Sequence, residues 1–505
     1  MAQSIGIDFG TAYLTAAVWD EQTGEGRVLA RMPAVARMLH GGGALCGEAA
    51  HEARSAYALS TVDQIKRFLG RTPEEARGAA SQVAWNVQQH PERAQEVLVD
   101  AWTGQFAPEE IAAELFKTLA SRAARALGEP LGGVVITVPA AAHNRQRLAL
   151  KAAAERAGLQ VRRIVNEPTA LALAEAHASP PVTDGEPWAV IGFGAGMTDI
   201  AIVRVSARGV SVAGVAGDTQ LGLGEIRAGL IERLEARFRE RHRVPIDRTR
   251  TEVRAELLWL GEEFLHELAW RPAHRADLRN AALNAAGTMV DLDEQLTACD
   301  LEAACRPALE RLEDLARSAL KQAEVKPRAI ERVILAGGGA YLPPIRQAIT
   351  RIFKHPLAPA PAGVEPHERP ARGAALLAAA LDGRVALRLQ DILAQSLGIT
   401  LVHDRFSKLL EAGQALPVLR TGNYSTVEDF QDHIRFEVRE GELPKASRNA
   451  LLGCFTLAGI RRAPRGVPEI QVTFRIDESG VLHVEAVDRD TRSRQQVLIE
   501  RTRPA

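Results

Sequence analysis

The chain has 505 residues, of which 46% are hydrophobic, and this length predicts more than one domain with substantial cores. A formal net charge of -1 and an isoelectric point near 6.9 exclude a strong overall electrostatic attraction to nucleic acid or membrane surfaces. Strand-like sequence begins within a few residues of Met1 and no apolar run approaches roughly 18 residues, so we expect a cytoplasmic protein without a signal peptide. The cysteines form no CxxC pair and are expected to be reduced thiols rather than metal ligands: Cys46, Cys299, Cys305 and Cys454.

The first predicted element is a β-hairpin at the start of the chain. Ile5–Phe9 alternates as in a strand, Gly10-Thr11 interrupts the run, and apolar residues resume at Leu14. A glycine at the tip lets the backbone approach an anion, and the amides of the turn can hold a phosphate. Asp8 would face the same space and bind Mg²⁺ through its waters. A plain tight turn explains this stretch alone equally well.

Two later segments repeat this arrangement. Trp188–Ile202 again places a glycine-rich tip between two apolar strands, with the acidic residue Asp199 on the second strand. A third glycine run, Gly337–Gly339, follows a buried-looking strand and precedes a helix with an apolar face. The repetition favours a phosphate site over isolated turns.

Between these hairpins, two charged residues are informative. Lys66 lies in an amphipathic run, where a solvated helix residue is the ordinary interpretation. Pro108 opens a predicted helix whose apolar residues are four positions apart. Glu167 precedes Pro168, which disfavours a helix interior and places the glutamate at a strand end or loop, where active-site acids are common. Residues 180–187 are predicted to form a turn-rich connector.

The remaining sequence divides into a helical part and a β-rich part. From Leu223 to about Leu320, charge-dense sequence predicts mainly helices with solvated faces. A further helix is predicted near Ala371, and Gly383 is a natural end of the first domain. From Ser396 the hydrophobic period changes to two, and with the turn at 477–480 this predicts an antiparallel β domain.

Two phosphate-type hairpins followed by a glycine-rich strand-to-helix turn resemble the nucleotide fold of actin, sugar kinases and Hsp70 proteins. Five further runs resemble the Hsp70 (DnaK-type) chaperone family in particular, in that family's order: Gln64–Arg71, Val135–Ala140, Ile164–Ala170, Gly217–Gly222 and Arg461–Ile470. Sugar kinases and actin lack the last run. The resemblance implies an α/β actin-like nucleotide-binding domain at residues 1–383, an interdomain linker at 384–391 and an antiparallel β-sandwich peptide-binding domain at 392–505.

For the first domain, the resemblance implies that the ligands are ATP or ADP and Mg²⁺. It implies catalytic roles for Lys66, Glu167, Asp8 and Asp199, with Asp8 also at the metal. The lysine would reach the γ-phosphate and position the attacking water, since a cation there offsets the charge of the transferring group. Nucleotide contacts are implied for Gly10, Thr11, Gly194, Gly196, Thr198, Gly222, Gly337, Gly338 and Tyr341.

The resemblance also implies contacts between domains and with partners. Pro139 and Arg147 would relay the nucleotide state to the second domain, although a surface charge on a helix explains Arg147 equally well. Arg163 would meet a J-domain co-chaperone, and a nucleotide exchange factor is a further partner class. Asp391 matches the aspartate that ends the Hsp70 linker.

The β domain is similar to the Hsp70 peptide-binding sandwich. By position, the residues that would line its groove are Ile399, Val402, Tyr424, Val427, Ile434, Phe436 and Ile476. Periodicity alone makes each of them a core residue. An extended apolar segment of an unfolded protein would gain backbone hydrogen bonds and bury one side chain in a central pocket. The α-helical lid of most Hsp70 proteins is absent from this sequence, which predicts weak, rapidly exchanging peptide binding.

The sequence departs from the family pattern mainly around the nucleotide. Ala12 stands for a threonine, Gly192 for the acidic residue that opens the second phosphate hairpin, and Met197 for the hairpin threonine. Further departures are Leu223-Gly224 within a Gly-Gly-Glu turn, Glu263 for a basic residue, Tyr341 for an arginine, His367 for an aspartate, and Arg388 and Gln390 in the linker, where they predict weaker docking. Hydrolysis depends on positioning and charge stabilisation, so we expect ATP binding with slow or absent hydrolysis.

Two hypotheses follow. The first is an ATP-cycling chaperone that binds and releases unfolded segments, and the retained Lys66, Glu167, Arg163 and Asp391 favour it. The second is a pseudo-ATPase, a scaffold or holdase of Hsp70 fold with little nucleotide cycling, and the departures favour it. A sugar kinase is a distant third, because that group has no β-sandwich of the type in residues 461–487.

Overall fold

The computed structural model of the chain describes residues 2–93, 95–178, 185–206, 209–361 and 363–498, so most of the predicted 180–187 connector lies outside the described residues. Strands in the first part are β1 (Ile5–Phe9), β2 (Tyr13–Asp20), β3 (Glu25–Pro33), β4 (Ala36–Met38), β5 (Ala44–Cys46), β6 (Thr61–Val62), β7 (Asn86–Gln89), β8 (Val97–Ala101), β9 (Gly104–Phe106), β10 (Gly133–Val138) and β11 (Gln160–Asn166). Helices are α1 (Glu48–Glu52), α2 (Pro73–Ala80), α3 (Pro108–Leu127), α4 (Asn144–Arg156) and α5 (Glu167–Ala178), with a 3-10 turn at Ile65–Arg67. The main sheet has the order β11-β10-β1-β2-β3.

The second part repeats this plan. Its strands are β12 (Glu186–Phe193), β13 (Thr198–Ser206), β14 (Gly209–Asp218), β15 (Ala273–Leu283), β16 (Met289–Thr297) and β17 (Arg332–Ala336). Its helices are α6 (Leu223–His242), α7 (Thr251–Leu268), α8 (Ala298–Gln322), α9 (Pro343–Phe353) and α10 (Arg369–Leu381), with 3-10 turns at Pro327–Ala329 and Gly338–Tyr341. In each half, the first strand of a hairpin also pairs with a parallel strand, β1 with β10 and β12 with β17.

Both predicted hairpins are present. β1 pairs antiparallel with β2 up to Phe9 opposite Leu14, and β12 pairs with β13 up to Phe193 opposite Thr198. The third glycine run follows β17 and leads through its 3-10 turn into α9. The two predicted hairpins and the predicted strand-to-helix turn at the third glycine run are therefore confirmed.

The prediction of mainly helical structure from Leu223 to Leu320 is wrong in its middle. There β15 and β16 form a two-stranded hairpin, whose inward side chains Ala276, Leu278, Leu292 and Leu296 join the core of the second part. Many of the exposed positions carry charged residues, such as Arg275, Asp277 and Asp293. The high charge density led to the helix prediction, although the apolar residues of this segment alternate with a period of two, as in strands.

Helices α5 and α10 lie between the two main sheets and pack on each other. α10 also contacts β1 and β2, whereas α5 contacts β12, β13 and β14. Their small residues, such as Ala170 and Ala374, lie in one buried cluster with side chains of both sheets. This packing fixes the two hairpins relative to each other. Across the described ranges, no helix has the length and apolar character needed to cross a bilayer.

The C-terminal part is antiparallel β structure, as predicted. Its strands are β19 (Leu397–Leu401), β20 (Arg405–Leu410), β21 (Val418–Tyr424), β22 (His433–Glu440), β23 (Ala450–Ala458), β24 (Ile470–Ile476), β25 (Leu482–Asp488) and β26 (Arg494–Leu498), with 3-10 turns at Val402–Asp404 and Ala446–Arg448. The short strand β18 (Arg388–Gln390) precedes them. Two four-stranded sheets have the orders β20-β19-β22-β23 and β21-β24-β25-β26.

The strand β18 belongs to the predicted linker. It pairs in parallel with β14, with Arg388 opposite Gly209 and Gln390 opposite Ser211. Strand pairing uses backbone groups, so these polar side chains are compatible with a docked linker. The expected weakness of this docking and the domain boundaries stay predictions.

Candidate functional site

A cleft of about 640 Å³ opens between the two halves of the chain. The three glycine segments meet at its wall, which explains why the sequence repeats them. The lining includes nine of the predicted site residues: Asp8, Gly10, Thr11, Lys66, Glu167, Gly194, Gly337, Gly338 and Tyr341. Such a concave site with convergent polar groups is the usual form of a small-molecule site.

Gly337 shows why one of these positions requires glycine. Its φ is 80°, in the left-handed region, and a Cβ there would lie 2.5 Å from the Phe193 carbonyl oxygen. A side chain is therefore excluded by both backbone conformation and space. The turn brings β17 against the tip of the second hairpin, where exposed backbone amides can contact an anion.

Lys66 is a buried cation in this cleft. It lies on the short 3-10 turn at Ile65–Arg67 and is 5% exposed. Its Nζ donates to Oε1 of Glu167, the first residue of α5. The interpretation of Lys66 as a solvated helix residue is therefore wrong. Glu167 does follow a strand directly, but it lies in neither a strand end nor a loop: it is the first residue of α5, where the missing N–H of Pro168 costs no intrahelical hydrogen bond.

Two buried carboxyl groups flank the Lys66–Glu167 pair. Burial, together with the negative charge of Glu167, raises the pKa of Asp8 to about 6. Burial raises the pKa of Asp199 to about 8, again with a contribution from Glu167. The positive charge of Lys66 opposes both shifts. A bound divalent cation would favour the ionised forms.

The donor set fits a Mg²⁺ held mainly through water. Asp8 lines the cleft, where Thr137 Oγ1 donates to its Oδ1. Within the described part of the chain, no three His, Cys, Asp or Glu side chains converge as a direct cage. Mg²⁺ commonly keeps several waters and binds one carboxylate together with substrate phosphates. Asp8 is suited to that role.

Four other predicted residues, on the second hairpin or next to it, lie behind the cleft wall and do not line the cleft: Gly196, Thr198, Asp199 and Gly222. Thr198 is fully buried and its Oγ1 donates to the Leu221 carbonyl at 2.9 Å. Asp199 Oδ1 accepts from the Ala141 amide at 3.3 Å. Gly196 and Gly222 face each other, because a Cβ on Gly222 would lie 2.8 Å from the Gly196 backbone.

Gly192 and Met197 lie in the cleft wall, where the family pattern has an acidic residue and a threonine. A Cβ built on Gly192 has no atom within 4 Å. The space that a carboxylate side chain would occupy is thus open. Met197 is 6% exposed and offers a thioether where a hydroxyl would donate a hydrogen bond.

The far end of the cleft is aromatic. Trp270 and Tyr341 both line it, with ring centroids 6.0 Å apart, and Tyr341 Oη donates to Glu365. Across the cleft wall, His367 stacks on Tyr13 at 5.5 Å. Trp270, two residues after the end of α7, was not predicted, because the whole stretch from Leu223 to about Leu320 was expected to be mainly helical and no helix end was placed there.

The predicted place of Glu263 at this end is wrong. Its carboxylate pairs with His274 Nε2 at 2.6 Å on the hairpin β15–β16, and it is not part of the cleft wall. Its neighbours Glu262 and His266 line the cleft instead. On α7, a one-residue difference rotates a side chain by about 100°, so register decides which residue faces the ligand.

A buried polar chain connects the cleft to the linker. Asn166, which precedes Glu167, accepts from Arg147 Nη2 at 2.6 Å and donates to Asp391 Oδ2 at 3.1 Å. Burial raises the pKa of Asp391, whereas Arg147 and Arg163 lower it. Arg147 is 8% exposed, so its interpretation as a surface charge is wrong. Pro139 is buried in the turn after β10, and the Ala142 amide donates to its carbonyl.

The β-sandwich contacts the start of α4 directly. The Leu482 amide donates to Asn144 Oδ1 at 2.9 Å, and His143 Nδ1 lies 2.7 Å from Glu440 Oε2. Ser479 Oγ accepts from the Ile164 amide at 3.2 Å. The sandwich and the linker are both docked on the part of the chain that contains the cleft.

The seven predicted groove residues separate by burial. Ile399, Phe436 and Ile476 are at most 3% exposed and lie in the sandwich core, which agrees with the core interpretation. Tyr424 and Ile434 are half-buried at its edge. The two most exposed members are Val402 at 53% and Val427 at 52%.

Phe430 was missed by the sequence analysis. It shares the loop between β21 and β22 with Val427 and is 64% exposed. An aromatic residue in a loop whose other residues, apart from Val427, are polar is the signal that identifies it.

Comparisons with known proteins agree with this geometry. The model of the family described as "Hsp70 protein" matches residues 4–504. The chain is 34% identical to "Chaperone protein dnaK3" of Synechococcus elongatus and to "Chaperone protein DnaK 1" of a Synechococcus species, in each case over 99% of this chain and 66% of the relative. It is 33% identical to "Chaperone protein DnaK" of Thermus thermophilus, over 99% of this chain and 81% of that protein. The chain thus spans just under two thirds of the length of the two Synechococcus relatives.

Proposed function

Because the chain belongs to the Hsp70 family, we propose that it is an ATP-binding chaperone of extended apolar segments whose ATP hydrolysis is slow or impaired. The observation that carries the proposal is one cleft that unites three glycine segments with Lys66 and Glu167 but leaves open space at Gly192. The proposed division is a nucleotide-binding domain at 1–383, a linker at 384–391 and a peptide-binding sandwich at 392–505.

In this proposal, the glycine segments bind the phosphates of ATP through backbone amides. Asp8 would hold Mg²⁺ through water, and the cation would supply charge neutralisation at the β- and γ-phosphates. Lys66 stabilises charge at the transferring group, and Glu167 orients the attacking water. The apolar and aromatic end at Leu265, Trp270 and Tyr341 receives the base.

Impaired hydrolysis follows from what the second hairpin lacks. Gly192 has no side chain to order a water on the metal, and Met197 has no hydroxyl for a phosphate oxygen. Lys66 also bonds Glu167 in this structure. A bound γ-phosphate would compete for the lysine and release the glutamate to a water. The groups proposed to bind ATP therefore remain, whereas two of the side chains that would position the water and the γ-phosphate for hydrolysis are missing.

Coupling to peptide binding would run through the buried polar chain. Glu167 is adjacent to Asn166, whose side chain bonds both Arg147 and the linker residue Asp391. A shift of Glu167 on nucleotide binding would change the geometry of this chain and so the docking of the sandwich. A J-domain co-chaperone would meet the surface around Arg163, and a nucleotide exchange factor is a further proposed partner.

The second candidate function is a pseudo-ATPase scaffold or holdase with little nucleotide cycling. The open space at Gly192 and the apolar Met197 favour it. Under this alternative, peptide affinity is the same with and without MgATP. Under the first proposal, ATP binding alone changes it.

Fluorescence anisotropy of a labelled extended apolar peptide tests the proposal. The peptide should bind the nucleotide-free chain, and MgATP should accelerate its release. A control variant, Asn166→Ala, should still bind MgATP by calorimetry but lose the acceleration. MgATP binding without any effect on peptide release would establish the holdase, and no peptide binding at all would refute the chaperone function.

A further inference from the structure

Arg31 is a cationic side chain in the cleft wall that the sequence analysis did not single out. It lies on β3 opposite Thr15 of β2, and Thr15 lies opposite Asp8 of β1. Opposed residues on neighbouring strands point to the same face of a sheet, so Arg31 and Asp8 share the cleft face, about 10 Å apart across two strand spacings. The arginine therefore lies in the same site as Asp8 but away from the proposed Mg²⁺ position.

The guanidinium of Arg31 rests on an aromatic ring and has no acidic partner. Its Cζ lies 4.4 Å from the ring centroid of Tyr13, and His367 stacks on the same ring with centroids 5.5 Å apart. Among the residues that the structure describes, no hydrogen bond or ion pair engages Arg31. Burial, together with the positive charge of Arg31, lowers the pKa of His367, so the imidazole is neutral near pH 7. The N–H groups of the guanidinium are thus free for a ligand.

The glutamates of the cleft wall are held by other groups. Glu365 accepts from Tyr341 Oη, and Glu167 accepts from Lys66. Glu262 pairs with two other arginines, at 2.8 Å and 3.3 Å. None of the carboxylates that line the described cleft therefore pairs with the guanidinium on β3. A half-buried cation without a counter-charge costs free energy, and an anionic ligand would recover it.

The place of this cation along the cleft identifies the anion. Arg31 lies over Tyr13, which begins β2 directly after the tip of the first hairpin, where the phosphates are proposed to bind. Tyr13 also adjoins the aromatic end, because His367, which stacks on it, is two residues from Glu365, the partner of Tyr341. A ligand group at this place is the part of a nucleotide between the terminal phosphates and the base.

We propose that Arg31 binds a phosphate oxyanion of the nucleotide beside the sugar, supplied either by the α-phosphate or by a phosphate group carried on the ribose. A guanidinium binds such an oxyanion through two parallel hydrogen bonds. This inference rests on the proposed function, since it takes the nucleotide to lie in the cleft. It deepens that function by adding an anion-binding residue on β3.

Calorimetric titration of the full chain and of Arg31→Gln tests it, with MgATP and with MgATP that carries an additional 2′- or 3′-phosphate. If Arg31 binds the α-phosphate, Arg31→Gln should weaken MgATP by about 10- to 100-fold, the range for one hydrogen bond to a charged group, and the additional phosphate should bring no gain. If Arg31 binds a ribose phosphate, one phosphorylated derivative should bind about 10- to 100-fold more tightly than MgATP, and Arg31→Gln should lose only that gain. Arg31→Lys keeps the charge without the planar fork and should retain part of the affinity.

Arg27→Gln is the matched control, because Arg27 lies on the same strand but is exposed and is not part of the cleft wall. Its affinities should equal those of the unmodified chain. Unchanged affinity for every probe in Arg31→Gln, with MgATP still bound by the unmodified chain, would overturn the inference and leave the proposed function standing. Equal losses in Arg27→Gln and Arg31→Gln would also overturn it, because they would reflect overall charge rather than a contact. If MgATP does not bind the unmodified chain, the proposed function fails and the inference fails with it.

Discussion

At the scale of single residues, the site retains the charged groups expected of a nucleotide site but lacks a carboxylate and a hydroxyl on the second hairpin. Lys66, Glu167 and Asp8 meet in the cleft, whereas Gly192 and Met197 supply neither carboxylate nor hydroxyl. The sequence predicted which residues meet because their roles belong to short motifs. It could not predict that Thr198 turns its hydroxyl to the Leu221 carbonyl, since strand alternation at a hairpin end depends on the exact register.

The double substitution Gly192→Asp with Met197→Thr should raise steady-state ATP turnover at least about tenfold, because one preorganised group is often worth more than that. The new aspartate has room, since a Cβ at Gly192 meets no atom within 4 Å. The rate is measured at saturating ATP so that affinity does not mimic chemistry. Lys66→Ala in the same background should abolish the gain. If the unmodified chain already hydrolysed ATP as fast as the double variant, the missing side chains at positions 192 and 197 would not limit the rate.

Asp199 predicts a pH dependence of stability. Burial raises its pKa from 3.8 to about 8 in the folded chain, so the folded state retains a proton that the unfolded state has lost. Its contribution therefore makes the nucleotide-free protein less stable as pH rises from about 4 to about 8. Thermal unfolding of Asp199→Asn should show a smaller loss of Tm over pH 6 to 8 than the unmodified chain. Parallel profiles would contradict this assignment.

At the scale of elements, the glycine hairpins and most helices could be predicted because their periods are clear and their ends carry Gly or Pro. The β15–β16 hairpin could not, since charged residues cover its outer face. The docking of β18 could not either, because its partner β14 lies about 180 residues away and the pairing uses backbone groups. The burial of Ile399 and Phe436 could be predicted from the period of two. Their proposed place in a peptide groove could not, and came only from the resemblance to the family.

Gly209 makes the linker strand testable. A Cβ at Gly209 would lie 1.9 Å from the Arg388 carbonyl oxygen, so Gly209→Ala should displace β18. The Arg388 side chain is already exposed, and release of its backbone from β14 should make the peptide bond after it accessible to trypsin. Gly128→Ala is the control, because that glycine also has positive φ but has open space around it. Cleavage after Arg388 should accelerate in the first variant alone. Equal cleavage rates in both variants would show that the clash does not release the strand.

Ile434 tests the predicted peptide groove. It is half-buried beside the sandwich core, and an unpaired carboxylate there costs about 2 kcal/mol or more, which is about 30-fold in affinity. Ile434→Asp should therefore abolish measurable binding of an extended apolar peptide by anisotropy. Leu419→Asp is the control, since Leu419 is 52% exposed on β21 and outside the predicted groove. Unchanged peptide affinity in Ile434→Asp would show that the peptide does not bind at the predicted groove.

At the scale of the whole molecule, the cleft and the sandwich are joined by one line of contacts. Glu167 begins α5, Asn166 precedes it, and Asp391 bonds Asn166 from the linker. The packing of α5 against α10 ties this line to both main sheets. Under the proposed function, a change at the nucleotide would reach the proposed peptide-binding sandwich through these contacts without a long relay.

The central claim is that the chain binds ATP in this cleft and hydrolyses it slowly. A single-turnover assay tests it directly: radiolabelled ATP is bound with Mg²⁺ to an excess of the full chain, and bound ATP and ADP are quantified over time. The account predicts that the chain retains labelled ATP that stays largely intact, while the Gly192→Asp/Met197→Thr variant converts it to ADP at least about tenfold faster. Failure to retain ATP, or conversion as fast in the unmodified chain as in the variant, would contradict it.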